Sequence, residues 1–239
     1  MERADAELSA ENIHLSLHAA SDWDGDAGAL ERTKSAIGEA HIVIATMLFL
    51  DDHIRTILPS LEARREDCDA MVCLMSAGEV VRLTKMGAYR MDAPAKGPLA
   101  LLKKLRGNAG KPGGNSGAGQ MKMLRRLPKL LRFIPGTAQD LRLFFLTMRY
   151  WLAGSEHNIE HLVKTLVHRY AKGPREPLRA LAQPEDPIEY PEVGLYHPQM
   201  KNRISEQLSD LPGHGRKDQP AVGLLLLRSY LLAGNTAHY

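Results

Sequence analysis

HIVIATMLFLDDHIRTILPSLEARREDCDAMVCLMSAGEVVRLTKMG, residues 41–87, is the stretch of sequence that decides the fold. It contains two short apolar runs, 41–47 and 70–75, of the kind expected for strands that are buried on both faces. Each run is followed by polar residues and then by apolar residues at helical spacing. Two strand–helix repeats in series predict a parallel, doubly wound α/β sheet.

The helices of this stretch carry their own start and stop signals. Asp51 and Asp52 can cap the first helix, and Pro59 is expected to kink it or to start a second piece. Ser76, with Glu79 three residues later, forms a capping box for the second helix. Gly87 is expected to end that helix.

The flanking sequence extends this α/β pattern in both directions. Residues 13–17 (IHLSL) predict a further parallel strand, and residues 1–8 resemble the second half of a helix, so the first strand of a doubly wound domain is expected to be missing. Residues 222–229 predict a buried strand that begins another α/β domain. We therefore divide the chain into a truncated N-terminal α/β domain (1–92), a basic, glycine-rich insert (93–136), a helical segment (137–173), a proline-rich linker with a short extended piece (174–221) and the start of the next α/β domain (222–239).

Charge is distributed unevenly along the 239 residues. Residues 1–92 hold 17 acids and 9 bases, whereas residues 93–139 hold ten bases and no acid. This basic insert contains few aromatic residues, so a docking face for an acidic partner protein, or a solvated surface, is favoured over nucleic-acid binding. Its glycine-rich part, residues 107–119, does not follow a strand and lacks the order of a phosphate-binding loop, which predicts a surface loop.

The N-terminal residues lack the apolar core of a signal peptide, and no apolar run is long enough to span a bilayer. The two cysteines, Cys68 and Cys73, do not have metal-binding spacing, and Cys73 lies in a predicted buried strand. Reduced core thiols in a cytoplasmic protein are the expected interpretation.

His157, Glu160 and His161 match the H-x-x-E-H pattern, in which two histidines one helical turn apart bind zinc. Two observations oppose a zinc site. The sequence shows no third ligand nearby, and both rings are expected on the solvated face of the helix, opposite its apolar stripe. We therefore predict no metal site. Ser76 and the turn at 234–236 lie where a strand meets a helix, a position where ligands bind in open α/β sheets, although both can equally be helix caps.

Six motifs resemble the N-terminal region of the H subunits of magnesium chelatases, and cobaltochelatase large subunits are more distantly similar. The motifs are LSLHAA (15–20), ATMLFLDDHI (45–54), MSAGEVVRLT (75–84), YWLAGSE (150–156), YPEVGLYHP (190–198) and LRSYLLAGNTAHY (227–239). The similarity extends over nearly the whole chain.

This resemblance implies a part of a porphyrin-binding subunit that presents protoporphyrin IX for Mg²⁺ insertion in chlorophyll or bacteriochlorophyll biosynthesis. It also implies ATP hydrolysis by partner subunits of the I and D types, and no catalytic residue within this chain. The residues it leaves as candidates for substrate binding are Arg228, Asn235, Thr236 and His238. The alternative function is a non-catalytic interaction module that docks a partner through the basic insert.

Overall fold

The computed structural model of the chain describes residues 8–94, 136–200, 203–213, 225–227 and 231–232. The α-helices that lie wholly within these ranges are α1 (Ala27–Glu39), α2 (Asp51–Arg64), α3 (Gly78–Val81), α4 (Thr137–Ala153), α5 (Glu156–Tyr170) and α6 (Leu178–Leu181). The strands are β1 (Ile42–Thr46), β2 (Ala70–Leu74), β3 (Lys85–Met86), β4 (Tyr89–Arg90), β5 (Leu195–Tyr196) and β6 (Ile204–Ser205).

The main sheet of the described residues has the strand order β1-β2-β3-β4. β1 and β2 are parallel, with Ile42 opposite Ala70 and Thr46 opposite Leu74. The α/β class and this parallel pair confirm the prediction from the sequence. β3 and β4 are antiparallel additions that the sequence analysis did not predict. A separate two-stranded sheet joins β5, within the predicted extended piece, to β6.

Helices cover both faces of this sheet, so its central strand is buried on both sides. In β2, Met71 and Cys73 pack towards α2, where Ile54, Ile57 and Leu61 form the apolar face. The alternate residues Ala70, Val72 and Leu74 pack against the core that includes α4 and α5. All five residues of β2 are buried, as the unbroken apolar run predicted.

Several predicted helix boundaries are wrong. The residue that precedes α3 is Ala77, not Ser76, and α3 ends at Val81 instead of reaching Gly87. The residue that precedes α2 is Leu50, and Asp51 and Asp52 lie in the first turn of the helix without a side-chain cap. Pro59 does not divide α2, which continues to Arg64. Pro59 is exposed, so water can hydrate the carbonyl that loses its helical partner.

Two predicted strands are also not confirmed. Residues 13–19 have no regular secondary structure, although Ile13 is buried. An alternating pattern of five residues fits any extended segment with one buried face, and this explains the error. Within the predicted strand 222–229, the described residues Leu225–Leu227 have no regular structure, and Leu225 and Leu227 are exposed.

Local signals in the sequence set the boundary between α4 and α5. Gly154 ends α4 in the left-handed conformation, with φ 66°, and Ser155 begins α5 by accepting a hydrogen bond from the Asn158 amide at 3.3 Å. At the other end of α4, Gly136 precedes the helix and Thr137 is its first residue. Among the described residues, no helix combines the length and the apolar character that a membrane crossing requires.

A buried carboxylate joins α4 and α5 to the turn between β3 and β4. Asp140, in the first turn of α4, accepts hydrogen bonds from the Ala88 amide at 2.9 Å and from the Tyr170 hydroxyl at 3.0 Å. Burial, followed by the charge of Asp140, raises the pKa of Tyr170, which therefore stays a neutral donor. Gly87 lies against the same carboxylate, with φ 58°.

Candidate functional site

The four residues proposed from the resemblance cannot be placed in a site. Arg228, Asn235, Thr236 and His238 all lie outside the residues that the structure describes. The basic insert of residues 93–136 is also largely outside the described ranges, since only 93, 94 and 136 are included. The assignment of these residues therefore stays a prediction.

Ser76, the other strand-end candidate, has a structural role in the geometry observed. Its hydroxyl accepts a hydrogen bond from the Leu48 amide at 3.1 Å and donates one to the Leu74 carbonyl at 3.0 Å. The hydroxyl thus connects the segments that follow β1 and β2. Ser76 does not cap α3, because the helix begins at Gly78 and Ala77 occupies the position directly before it.

The histidine pair lies in a different environment from the one predicted. The His157 and His161 rings pack together with their centroids 4.2 Å apart, and Glu185 brings a carboxylate to the same place. Ligand-capable atoms of the three residues lie within 4.8 Å of one another. His161 is only 6% exposed. The two sequence arguments against a metal, a solvated position and the lack of a third candidate ligand, are therefore wrong.

The hydrogen bonding of His161 nevertheless opposes metal binding. The Glu185 amide donates to His161 Nδ1 at 2.9 Å, so Nδ1 must carry a lone pair and a neutral ring carries its proton on Nε2. A histidine that binds a metal through one nitrogen normally donates from the other. Here the other nitrogen is an acceptor. Loading the cluster would require either an imidazolate or a shift of the backbone at Glu185.

The arrangement instead fastens the segment 185–188 onto α4 and α5. The Asn158 side chain donates to the Ile188 carbonyl at 3.0 Å and accepts from the Ile188 amide at 2.9 Å. Tyr150 donates its hydroxyl hydrogen bond to the Glu185 carbonyl. Together with His161, these side chains satisfy backbone groups of a segment that belongs to no helix or strand. Burial, and then the neighbouring His157, lowers the pKa of His161 and keeps this acceptor neutral.

The part of α5 that follows His161 carries a partly buried ion-pair cluster. Lys164 bonds to Glu11 at 2.7 Å and to Glu160 at 2.9 Å. These contacts connect the N-terminal segment to α5 and raise the pKa of Lys164 against the opposing effect of burial. The single ammonium group lies between two carboxylates and joins the N-terminal segment to α5, which suits structural support.

The two thiols are buried and unpaired, as predicted. Burial raises the pKa of both, that of Cys73 to about 12. A thiol that stays protonated is a poor nucleophile and a poor metal ligand. Cys68 and Cys73 therefore contribute to the core and not to a reactive site.

Comparison with known proteins identifies the family of this chain, which the described side chains do not. Residues 1–145 match the family model of a domain of unknown function, DUF3479, and residues 148–239 match the CobN/Magnesium Chelatase model. The magnesium-chelatase H subunit of Cereibacter sphaeroides is 53% identical over 95% of this chain, and that of Rhodobacter capsulatus is 50% identical over 95%. The chloroplastic magnesium-chelatase ChlH subunit of Oryza sativa subsp. indica is 28% identical over 85%.

The chain spans about a fifth of the length of these relatives, 19% for each of the two bacterial proteins and 15% for the rice protein. Nearly all of its length is nevertheless matched, and the two family models adjoin each other along it. The chain belongs to the family of magnesium-chelatase H subunits.

Proposed function

We propose that this chain is part of a subunit that binds protoporphyrin IX and presents it for insertion of Mg²⁺. The observation that carries the proposal is the 53% identity with a magnesium-chelatase H subunit across 95% of the chain. Mg²⁺ and the porphyrin are substrates in this proposal. ATP would be hydrolysed by partner subunits of the I and D types, in the pathway to chlorophyll or bacteriochlorophyll.

The contribution we propose for the described residues is structural. Metal insertion needs an apolar, water-poor pocket for the macrocycle and a base that removes the pyrrole protons. A concavity of about 430 Å³ on the described surface has a charged lining that does not suit a porphyrin. Its charged lining residues are Glu62, Arg65, Glu66, Glu79, Arg82 and Asp92. We keep Arg228, Asn235, Thr236 and His238 as the proposed porphyrin-contacting residues.

We also propose the cytoplasm as the site of action. The supporting observation is the pair of buried, unpaired thiols, which suits a reducing compartment. Among the described residues, no helix is long and apolar enough to cross a membrane.

A segment exchange tests the proposal directly. The matching segment of the Cereibacter sphaeroides H subunit would be replaced by this chain, and magnesium protoporphyrin formation would be followed by fluorescence with ATP and the partner subunits. We expect the chimaera to retain activity and the isolated 239-residue chain to show none. A folded, soluble chimaera without activity would contradict the family function, and steady turnover by the isolated chain would contradict its partial role.

A further inference from the structure

Four exposed apolar side chains lie in the two adjacent segments at the carboxyl ends of β1 and β2. This strand-end patch consists of Met47, Phe49, Leu50 and Met75, which are 59%, 55%, 63% and 41% exposed. Backbone hydrogen bonds bring the two segments together, since the Met47 amide donates to the Met75 carbonyl at 3.0 Å and the Ala77 amide donates to the Leu48 carbonyl at 2.9 Å. Clustered apolar side chains of this kind mark binding surfaces more often than single ones do.

The backbone of the strand-end patch is strained and held in place. Met47 and Met75 have positive φ angles of 59° and 44°, a conformation that is uncommon for residues other than glycine. Such strain persists only where the surroundings impose it, and it concentrates at functional sites. Here the Ser76 hydroxyl and the backbone bonds between the two segments impose it. The patch is therefore a preorganised surface.

The charges around the strand-end patch are acidic. Asp51 and Asp52 directly follow Leu50, and the first base after them along the chain is Arg55. Glu79 lies four residues after Met75 and also lines the charged concavity that contains Arg82. Within the described ranges, none of these three carboxylates forms an ion pair. An apolar surface with such a rim repels anionic ligands and acidic proteins and attracts a segment that combines basic and apolar residues.

We propose that residues 121–135 of this same chain, MKMLRRLPKLLRFIP, bind the strand-end patch. This segment lies outside the described residues. It contains five bases, no acid and eight large apolar residues, which matches the patch in charge and in hydrophobicity. The binding surface is thus an intramolecular contact between the basic insert and the carboxyl edge of the sheet.

The covalent connection favours this occupant over a second molecule. The chain from Pro94, the last described residue before the insert, to residue 121 can extend over about 90 Å, whereas a strand of five residues spans about 17 Å. The segment can therefore reach the patch from Asp92, which follows β4 and is bonded to Arg65. A tethered segment has an effective concentration in the millimolar range, well above that of free protein in dilute solution.

Photo-cross-linking of the full chain tests the contact. p-Benzoylphenylalanine would replace Phe49 in one sample and Leu181, an exposed residue of α6, in a matched control, and cross-linked peptides would be identified by mass spectrometry. We expect cross-links from position 49 to residues 121–135 and none to that segment from position 181. Cross-linked dimers from position 49 would identify a second copy as the occupant and overturn the proposal. Cross-links confined to other segments, or none, would also overturn it.

Charge reversal provides the second measurement. The double variant Asp51→Lys and Asp52→Lys should lower the cross-link yield from position 49 by at least about fivefold, because it turns attraction into repulsion. The control Glu62→Lys and Asp67→Lys changes the same net charge near the other end of α2 and should leave the yield unchanged. Circular dichroism would establish that both variants are folded. Equal cross-link yields in the two double variants would refute the electrostatic basis of the contact. In the chain that keeps Asp51 and Asp52, 0.5 M salt should also lower the cross-link yield from position 49.

Discussion

Replacement of Gly87 by alanine perturbs the structure at one defined point, the turn between β3 and β4. Gly87 has φ 58°, and a Cβ atom there would lie 2.7 Å from Asp140 Oδ2 and 3.0 Å from Cγ. The carboxylate cannot move without loss, because Oδ2 accepts from the Ala88 amide and Oδ1 accepts from the Tyr170 hydroxyl. Gly87→Ala should therefore disrupt the link between the sheet and both long helices.

Two contributions add to the expected loss of stability. The left-handed conformation costs a residue with a Cβ atom about 1–2 kcal/mol. Displacement of a buried carboxylate from its donors costs about 1.5–3 kcal/mol more, the range for hydrogen bonds to charged groups. We expect Gly87→Ala to lower the free energy of unfolding by about 2.5–5 kcal/mol, a large part of the stability of a typical domain.

Gly173→Ala is the matched control. Gly173 has φ 57°, nearly the same as Gly87, but among the described residues no heavy atom lies within 4 Å of the position that a Cβ atom would take there. Gly173→Ala should therefore lower the free energy of unfolding only by the conformational contribution of about 1–2 kcal/mol. Urea unfolding of both variants, followed by circular dichroism, measures the two values, with Asp140→Asn as a third variant that weakens the hydrogen bonds without adding a Cβ atom.

The difference in destabilisation between Gly87→Ala and Gly173→Ala tests the role of the Asp140 carboxylate. Equal destabilisation of Gly87→Ala and Gly173→Ala would show that contact with the Asp140 carboxylate contributes nothing, and would refute the role assigned to it. Full stability of Asp140→Asn together with a severe effect of Gly87→Ala would assign the loss to steric overlap alone.

Three further outcomes follow from the described contacts. The purified chain should bind no stoichiometric zinc, because His161 Nδ1 accepts the Glu185 amide; metal analysis that finds zinc, lost in His161→Ala, would contradict this. Burial lowers the pKa of His161 below its ordinary 6.5. As the pH falls below 6.5, the unfolded chain therefore takes up a proton at this histidine before the folded chain does. The stability that neutral His161 contributes is complete above pH 6.5 and decreases below it. His161→Gln should therefore lose less stability than the native chain between pH 7 and 5.5 in urea titrations; equal losses would refute it. Ser76→Ala should destabilise the chain by about 1–2 kcal/mol, because the Leu48 amide loses its acceptor, whereas the exposed Ser35→Ala should change little.

The amino-acid sequence by itself determined the α/β class and the paired strands at its centre. β2 is five apolar residues long and buried on both faces, so its composition alone distinguishes it from a loop or a surface helix. The end of α4 at Gly154 and the start of α5 at Ser155 also follow from local chemistry, because a left-handed glycine and a hydroxyl cap act within a few residues. Family membership followed from long motifs.

Only the tertiary structure decided the features that depend on distant residues. β3 and β4 have two residues each, too few to show a period, and they form strands because β3 pairs with β2 and β4 pairs with β3. The apolar stripe of α5 predicted a solvated histidine pair, but α5 packs against the segment of Glu185, which lies 24 residues beyond His161 in sequence. Helical periodicity records which face is apolar, whereas burial of a polar face depends on which segment packs there, and this depends on the whole fold.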